Sequence, residues 1–217
     1  MMSVRLPASA ERTAVADATV VFPTPPLPVN RRIRTSHSLP SARGPRLGSP
    51  AMVRIRSARL EDADAIAGIR VRGWQTAYRG QLPDAFLDGL VVEPDRWRSY
   101  LAESAPGRHA VVAETNGTVS GFVTFGPSRD DDAPGGEIFA IYVDPAQYGH
   151  GIGIELMAAA ESQLRHDGHD GAILWTLTSS ERTRRFYERL GWRTDGTTKT
   201  DTRLGVTLEE IRYYRRL

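Results

Sequence analysis

The sequence predicts a mixed α/β domain over residues 52–217, with a mostly antiparallel central sheet and flanking helices. Strand-like alternating runs and helix-like runs with apolar residues at three-to-four spacing succeed one another along this stretch. Asn116-Gly117, set between two β-branched runs, marks a hairpin, so part of the sheet is antiparallel. A glycine-rich turn, "PAQYGHGIG" at 145–153, joins a β-branched, aromatic run to an Ala/Leu-rich one.

"VRIRS" opens the domain as an edge-like strand, and Ile66, Ile69, Trp74, Ala77 and Tyr78 mark an amphipathic helix from about 61 to 79. "LPDAFLDGL" is a short second helix ending at Gly89, and "PDRWRSYLAE" a third with proline in its first turn. The strands "HAVVAET" and "TVSGFVTFG" form the hairpin, and the polar loop "PSRDDDAPGG" leads into the strand "EIFAIYV". After the glycine turn come a helix over about 153–166, the strand "GAILWTLTS" and a helix "ERTRRFYERL" closed by Gly191. "WRTDGTTKT" and "LEEIRYYRRL" form a closing antiparallel pair.

Residues 1–51 differ in kind. They hold eight of the 14 prolines, with many Ser, Thr and Arg, and keep no helical or strand period. Such a segment buries too little apolar surface to offset its chain entropy and is expected to be a disordered extension, an over-long start being the plainest account of it. Its seven Arg against two acidic residues give +5, whereas 52–217 carry 21 Lys+Arg against 24 Asp+Glu, or −3. The acidic folded part argues against a nucleic-acid partner. No apolar run approaches the ~20 residues that span a bilayer. Cysteine is absent, which removes disulfides, thiolate metal sites and a cysteine nucleophile, and a cytoplasmic setting is expected. Lys199 is the one lysine beside 27 arginines, read as coding bias. His166 and His169 do not make a metal cluster, and no metal is expected.

A strand ending in a glycine turn at a helix mouth offers backbone N–H groups and the positive end of the helix dipole to a phosphate. A Walker loop needs Lys-Ser/Thr after its last glycine, and here Ile154-Glu155 follows. A dinucleotide fingerprint is spaced G-x-G-x-x-G, and this turn is G-x-G-x-G. Both nucleotide readings fail.

"IYVDPAQYGHGIGIELM" instead resembles the acetyl-coenzyme A motif of the GNAT N-acetyltransferase superfamily, and "SSERTRRFYERLGW" is similar to that family's closing motif. The two stand in the right order on the expected elements, and the resemblance covers roughly 53–217. Two positions depart from the family pattern: its Arg/Gln falls on Tyr148 and its cofactor-contacting Asn on Ser180. The resemblance implies an acetyltransferase using acetyl-CoA as co-substrate, with the pantetheine arm in a splay between "EIFAIYV" and "AILWTLT". It implies arm contacts at Ile141, Tyr142 and Val143, and pyrophosphate contacts at Gly149, His150, Gly151, Ile152, Gly153 and Ile154, with Ser180 as a further cofactor contact.

Direct transfer to an amine needs a base, because an alkylammonium with pKa near ~10 is protonated at neutral pH, and an acid for the departing thiolate. The family's tyrosine makes Tyr187 the expected general acid, against a plain aromatic packing role for Phe186-Tyr187. Glu137, opening its strand, is the expected base, while the next strand has no carboxylate. Trp74, Tyr78 and Arg79 fall on the helix that in the family walls the acceptor pocket, although two aromatics at i and i+4 also suit a core. The implied partner is a small-molecule or peptide amine. A homodimer is allowed by the resemblance, but no residue marks one. The rival reading is a catalytically silent acyl-CoA-binding sensor or interaction domain, which would have no need of the Tyr187 phenol.

Overall fold

The computed structural model describes residues 53–103, 105–203 and 206–217; the extension expected over 1–51 lies outside them. Strand β1 (Val53–Ser57) is followed by helices α1 (Ala63–Ala77), α2 (Asp84–Asp88) and α3 (Pro94–Ala102). Strands β2 (His109–Thr115), β3 (Thr118–Pro127) and β4 (Gly136–Val143) come next, then α4 (Ile152–His166), β5 (Gly171–Leu177), α5 (Glu181–Arg189), β6 (Arg193–Arg203) and β7 (Val206–Arg216). The expected order of elements is therefore found.

One seven-stranded sheet runs β1-β2-β3-β4-β5-β7-β6, and only β4 and β5 pair in parallel. The central strands read as continuous apolar runs because both faces are covered: every residue of β4 is buried. On one face α4 and α5 pack over Val123, Ile141, Leu156, Leu164, Phe186 and Trp192; on the other α1 covers Val112, Phe122, Ala140 and Leu177. The hairpin turn has φ of 52° at Asn116 and 79° at Gly117, the geometry that Asn-Gly favours.

Two boundaries differ from the sequence reading. The first helix is split into a 3-10 turn at Leu60–Asp62 and α1, because the Asp62 carboxylate accepts from the Arg59 amide (2.7 Å) and fixes a separate first turn. Its far end stops at Ala77, so Tyr78 forms the C-cap and Arg79 lies beyond the helix. The loop "PSRDDDAPGG" is largely exposed, and two of its aspartates tie it to the sheet. Asp130 and Asp132 accept from the Arg212 guanidinium (3.4 and 2.9 Å), and Asp130 also accepts from the Trp175 indole N–H (2.9 Å).

Two features position the site. The β4–β5 ladder has three pairs, Gly136 with Ala172, Glu137 with Ile173 and Ile138 with Leu174, and stops there, so the strands part toward their C-terminal ends. At the same level Phe139 is the extra residue of a bulge, since Thr124 pairs with Ala140 but Phe125 with Ile138. A bulge increases local twist and turns β4 away from its neighbour.

Candidate active site

The glycine turn sits where β4 ends. Gly149 (φ 85°) and Gly151 (φ 80°) are left-handed, and a Cβ built on either would meet no atom within 4 Å, so the two line an open cradle. Gly151 is the N-cap of the 15-residue α4, so the helix opens at that cradle with the positive end of its dipole there, while the Ile154 amide already donates to the Gly151 carbonyl (2.9 Å). Ile152 and Gly153 are buried against the sheet, whereas His150 is exposed and its ring Nδ1 lies 3.2 Å from the Gln147 carbonyl. The Asp144 side chain accepts from the Ala146 amide (3.0 Å) and pairs with Arg72, tying the turn to α1. α4 packs closely here because β3 has Gly121: a Cβ there would lie 2.8 Å from the Tyr142 carbonyl and 3.2 Å from Ile152 Cγ2.

Tyr148, at the departure from the family pattern, turns inward against the core under α4, and burial pushes its phenol up to about 12. Ser180 is buried and shares a 2.8 Å hydrogen bond with Thr183, which holds the start of α5.

Tyr187 approaches from α5, fully buried, with Phe186, Trp192 and Tyr213 rings around it at 5.4, 6.4 and 6.1 Å between centroids. From the opposite face the end of α1 brings Trp74 and Tyr78, edge to face at 4.9 Å. The Trp74 indole N–H donates to the Tyr142 hydroxyl at 2.8 Å, so the Tyr142 side chain belongs to that face. The Tyr78 phenol is held well above the usual range, first by burial, then by Tyr142, Tyr187, Glu210 and Tyr148. Side chains from α1, β4, α5 and β7 thus share one electrostatic neighbourhood where β4 and β5 part.

Two expected residues are engaged elsewhere. Glu137 lies on the paired part of β4, not at the opening; Arg129 donates to both its oxygens, and the Arg129 amide donates at 3.0 Å as well. Arg79, 45% exposed, pairs with Asp84 (2.9 Å) and Asp88 (2.7 Å) and so fastens α2. The sequence reading missed Glu210. It is a carboxylate with 0% exposure, on the same face as Trp74 and Tyr78, opposite Leu177 of β5 and Lys199 of β6. Strand alternation in "LEEIRYY" was the available signal, but which face it served depended on β7 lying between β5 and β6. Beside these residues an open groove of about 370 Å³ is lined by Pro83, Ala85, Phe86, Gly89 and Val206. Among the described residues no group of three His, Cys, Asp or Glu is placed to hold a metal, and no helix is long and apolar enough to cross a membrane.

Comparison with known proteins agrees with this architecture. The acetyltransferase (GNAT) family model matches residues 71–192. An N-acetyltransferase of Mycobacterium tuberculosis is 31% identical over 170 residues, 76% of this chain and 94% of that protein. The N-acetyltransferase YuaI of Bacillus subtilis is 31% identical over 129 residues, 58% of this chain and 72% of the relative. The fold is similar to that of the PaiA N-acetyltransferase of Thermoplasma acidophilum, solved with coenzyme A (TM-score 0.64, 16% identity, 76% of this chain and 99% of that one). It is also similar to that of the Salmonella typhimurium acetyltransferase YncA, solved with acetyl-CoA (TM-score 0.59, 24% identity, 76% and 94%). The chain belongs to the GNAT acetyltransferase family and is an acyltransferase.

Proposed function

We propose that the protein moves an acetyl group from acetyl-CoA directly to a primary amine, with Tyr187 as general acid. The observation that carries this is the parting of β4 from β5 after Ile138 and Leu174, with Tyr187 on one face of the gap and Tyr78 on the other. Acetyl-CoA would supply an activated carbonyl and a thiolate leaving group. Residues that would fit its pyrophosphate are Gly149, His150, Gly151, Ile152, Gly153 and Ile154, because there is room at both left-handed glycines and the N-terminus of α4 opens there. The β4 segment Ile141–Val143 would lie beside the arm.

The remaining roles follow from position. Tyr187, shielded from water, would give its phenolic proton to the sulfur. Trp74 and Tyr78 would wall the acceptor on the α1 face, and Ser180 would serve by fixing the start of α5 through Thr183. Arg79 would act by holding α2 at the groove. Glu137 can accept a proton only after Arg129 releases it, so the reading gives it the anchoring of β4 instead. A cationic or neutral amine suits the acidic folded part; the groove beside Phe86 and Val206 would take its apolar portion.

The test measures acetyl-CoA binding by calorimetry and thiol release over a panel of primary amines, for the wild-type chain and Tyr187→Phe. The variant should bind acetyl-CoA as the wild type does and lose about 10²–10⁴-fold in thiol release, the usual range for a positioned acid. Binding without release on any amine would instead favour a sensor that keeps the fold. Absence of binding would remove the acetyl-CoA reading altogether.

A further inference from the structure

The cross-strand row Lys199–Glu210–Leu177 runs over β6, β7 and β5 on the face that carries Trp74 and Tyr78. From β6 the lysine reaches back across the sheet, and its Nζ stands 3.9 Å over the ring of Trp175. Trp175 is the first β5 residue beyond the last pair with β4, so the chain's single lysine amine packs on a residue that stands where the two strands begin to part, its indole held by Asp130.

Its second neighbour is Glu210, whose Oε2 lies 3.6 Å from Nζ, close enough for attraction but too long for a tight hydrogen bond. A purely structural cation here would be better supplied by arginine, whose planar fork grips a carboxylate with two bonds. Arginine supplies the cation in the ion pairs of Asp62, Glu114, Glu137, Glu161 and Asp195. The neighbouring Arg212 shows the contrast: only 7% exposed, it is fixed by Asp130, Asp132, Asp195 and Thr197, whereas the lysine side chain is 37% exposed and loosely paired.

We propose that Lys199 is an acetyl acceptor within the protein itself, acetylated on Nζ in the cleft that serves external amines, with Glu210 receiving the ammonium proton. This rests on the acetyl-transfer reading above. In the step, Glu210 takes one proton from Nζ, and the freed lone pair forms the N–C bond to the thioester carbonyl as the C–S bond breaks. Tyr187 gives its proton to the sulfur and is restored by the second proton leaving the nitrogen. The products are Nε-acetyl-lysine and coenzyme A thiol, with one proton released. Among the groups near Glu210 are Lys199 from β6 and Tyr78 from the end of α1, and Arg212 stands two residues further along β7. The amine is tethered at the site, so transfer within one molecule has the advantage of high effective concentration.

The experiment incubates the full chain with acetyl-CoA alone and follows intact mass and the peptide containing Lys199. One acetyl group on Lys199, gained at a rate independent of protein concentration, supports the proposal. That rate should drop about tenfold or more in Glu210→Gln and Tyr187→Phe. Lys199→Arg should stay unmodified while still binding acetyl-CoA. A second readout needs no turnover: reductive ¹³C-methylation labels a single lysine, and its resonance should shift when desulfo-CoA is added. If small amines are acetylated while Lys199 is not, the proposal falls and the transferase reading stands. If neither is acetylated and acetyl-CoA does not bind, both fall. Equal acetylation of native, Tyr187→Phe and urea-unfolded chains would mean simple chemical reactivity and would overturn it.

Discussion

At the scale of single residues, three carboxylates of similar burial have different work. Glu137 is clamped by Arg129, Asp62 by Arg56, and Glu210 lies 3.6 Å from the Lys199 amine. Replacing Glu137 with Gln weakens a buried, charge-assisted set of bonds, for which a loss of about 1–3 kcal/mol in stability is expected, with turnover per folded molecule retained. Denaturant unfolding alongside initial rates checks this; a fall of about 10²–10⁴-fold in rate with unchanged stability would restore Glu137 as the base. Asp62 gives a pH test. The hydrogen bond from Arg56 holds its carboxyl below the ordinary 3.8, so the pair stabilises the fold above that value and the benefit fades as pH falls through the lower folded value. Asp62→Asn should therefore be less stable than wild type near neutrality, and the gap should narrow in acid. A gap that stays constant from neutral pH to below 3 would mean that Asp62 does not titrate differently in the two states. Of the candidate residues, Tyr187 and the glycines stood out in the sequence because each lies inside a local pattern. The Arg129 clamp and Glu210 did not: one spans a loop and the other depends on strand order, neither of which leaves a local period in sequence.

At the scale of elements, the glycine turn works through two separable properties: left-handed backbone and empty space. Gly149 has both at the mouth of α4, while Gly168, with φ of 90° and no atom within 4 Å of a built Cβ, has them just beyond the far end of the same helix. Alanine at either position meets the same backbone strain, of order 1–2 kcal/mol. Only Gly149→Ala also puts a methyl into the cradle. Acetyl-CoA affinity is expected to fall about tenfold or more in Gly149→Ala, equivalent to about 1.4 kcal/mol, and to stay unchanged in Gly168→Ala. Calorimetry on the two variants separates strain from obstruction, and equal losses in both would show that the turn contributes only shape. The hairpin at Asn116-Gly117 and this turn were readable because glycine and asparagine report backbone conformation directly. The bulge at Phe139 was not, since no glycine or proline marks it and it arises from the register between β3 and β4.

At the scale of the whole molecule, the sheet joins two parts, β1–β4 and β5-β7-β6, through three β-pairs. Such a short ladder would make a weak joint if the strands alone held it. Two apolar cores cross it: one links Val123, Phe125 and Ile138 to Leu174, Phe186 and Tyr213, and the other links Trp74, Phe122 and Tyr142 to Leu177 and Leu208. Packing that spans the joint couples the halves, so thermal unfolding should be a single transition, with calorimetric and van't Hoff enthalpies in agreement. A ligand lying between β4 and β5 adds a further link that exists only in the folded state. At about 100 times its dissociation constant, acetyl-CoA should stabilise the chain by about 2.7 kcal/mol, a rise of roughly 5–10 °C in Tm for a domain of this size. Differential scanning calorimetry with and without acetyl-CoA tests both points. Two resolved transitions, with only one moved by the ligand, would show that the halves fold independently and that the opening between them is a boundary rather than a bridged site.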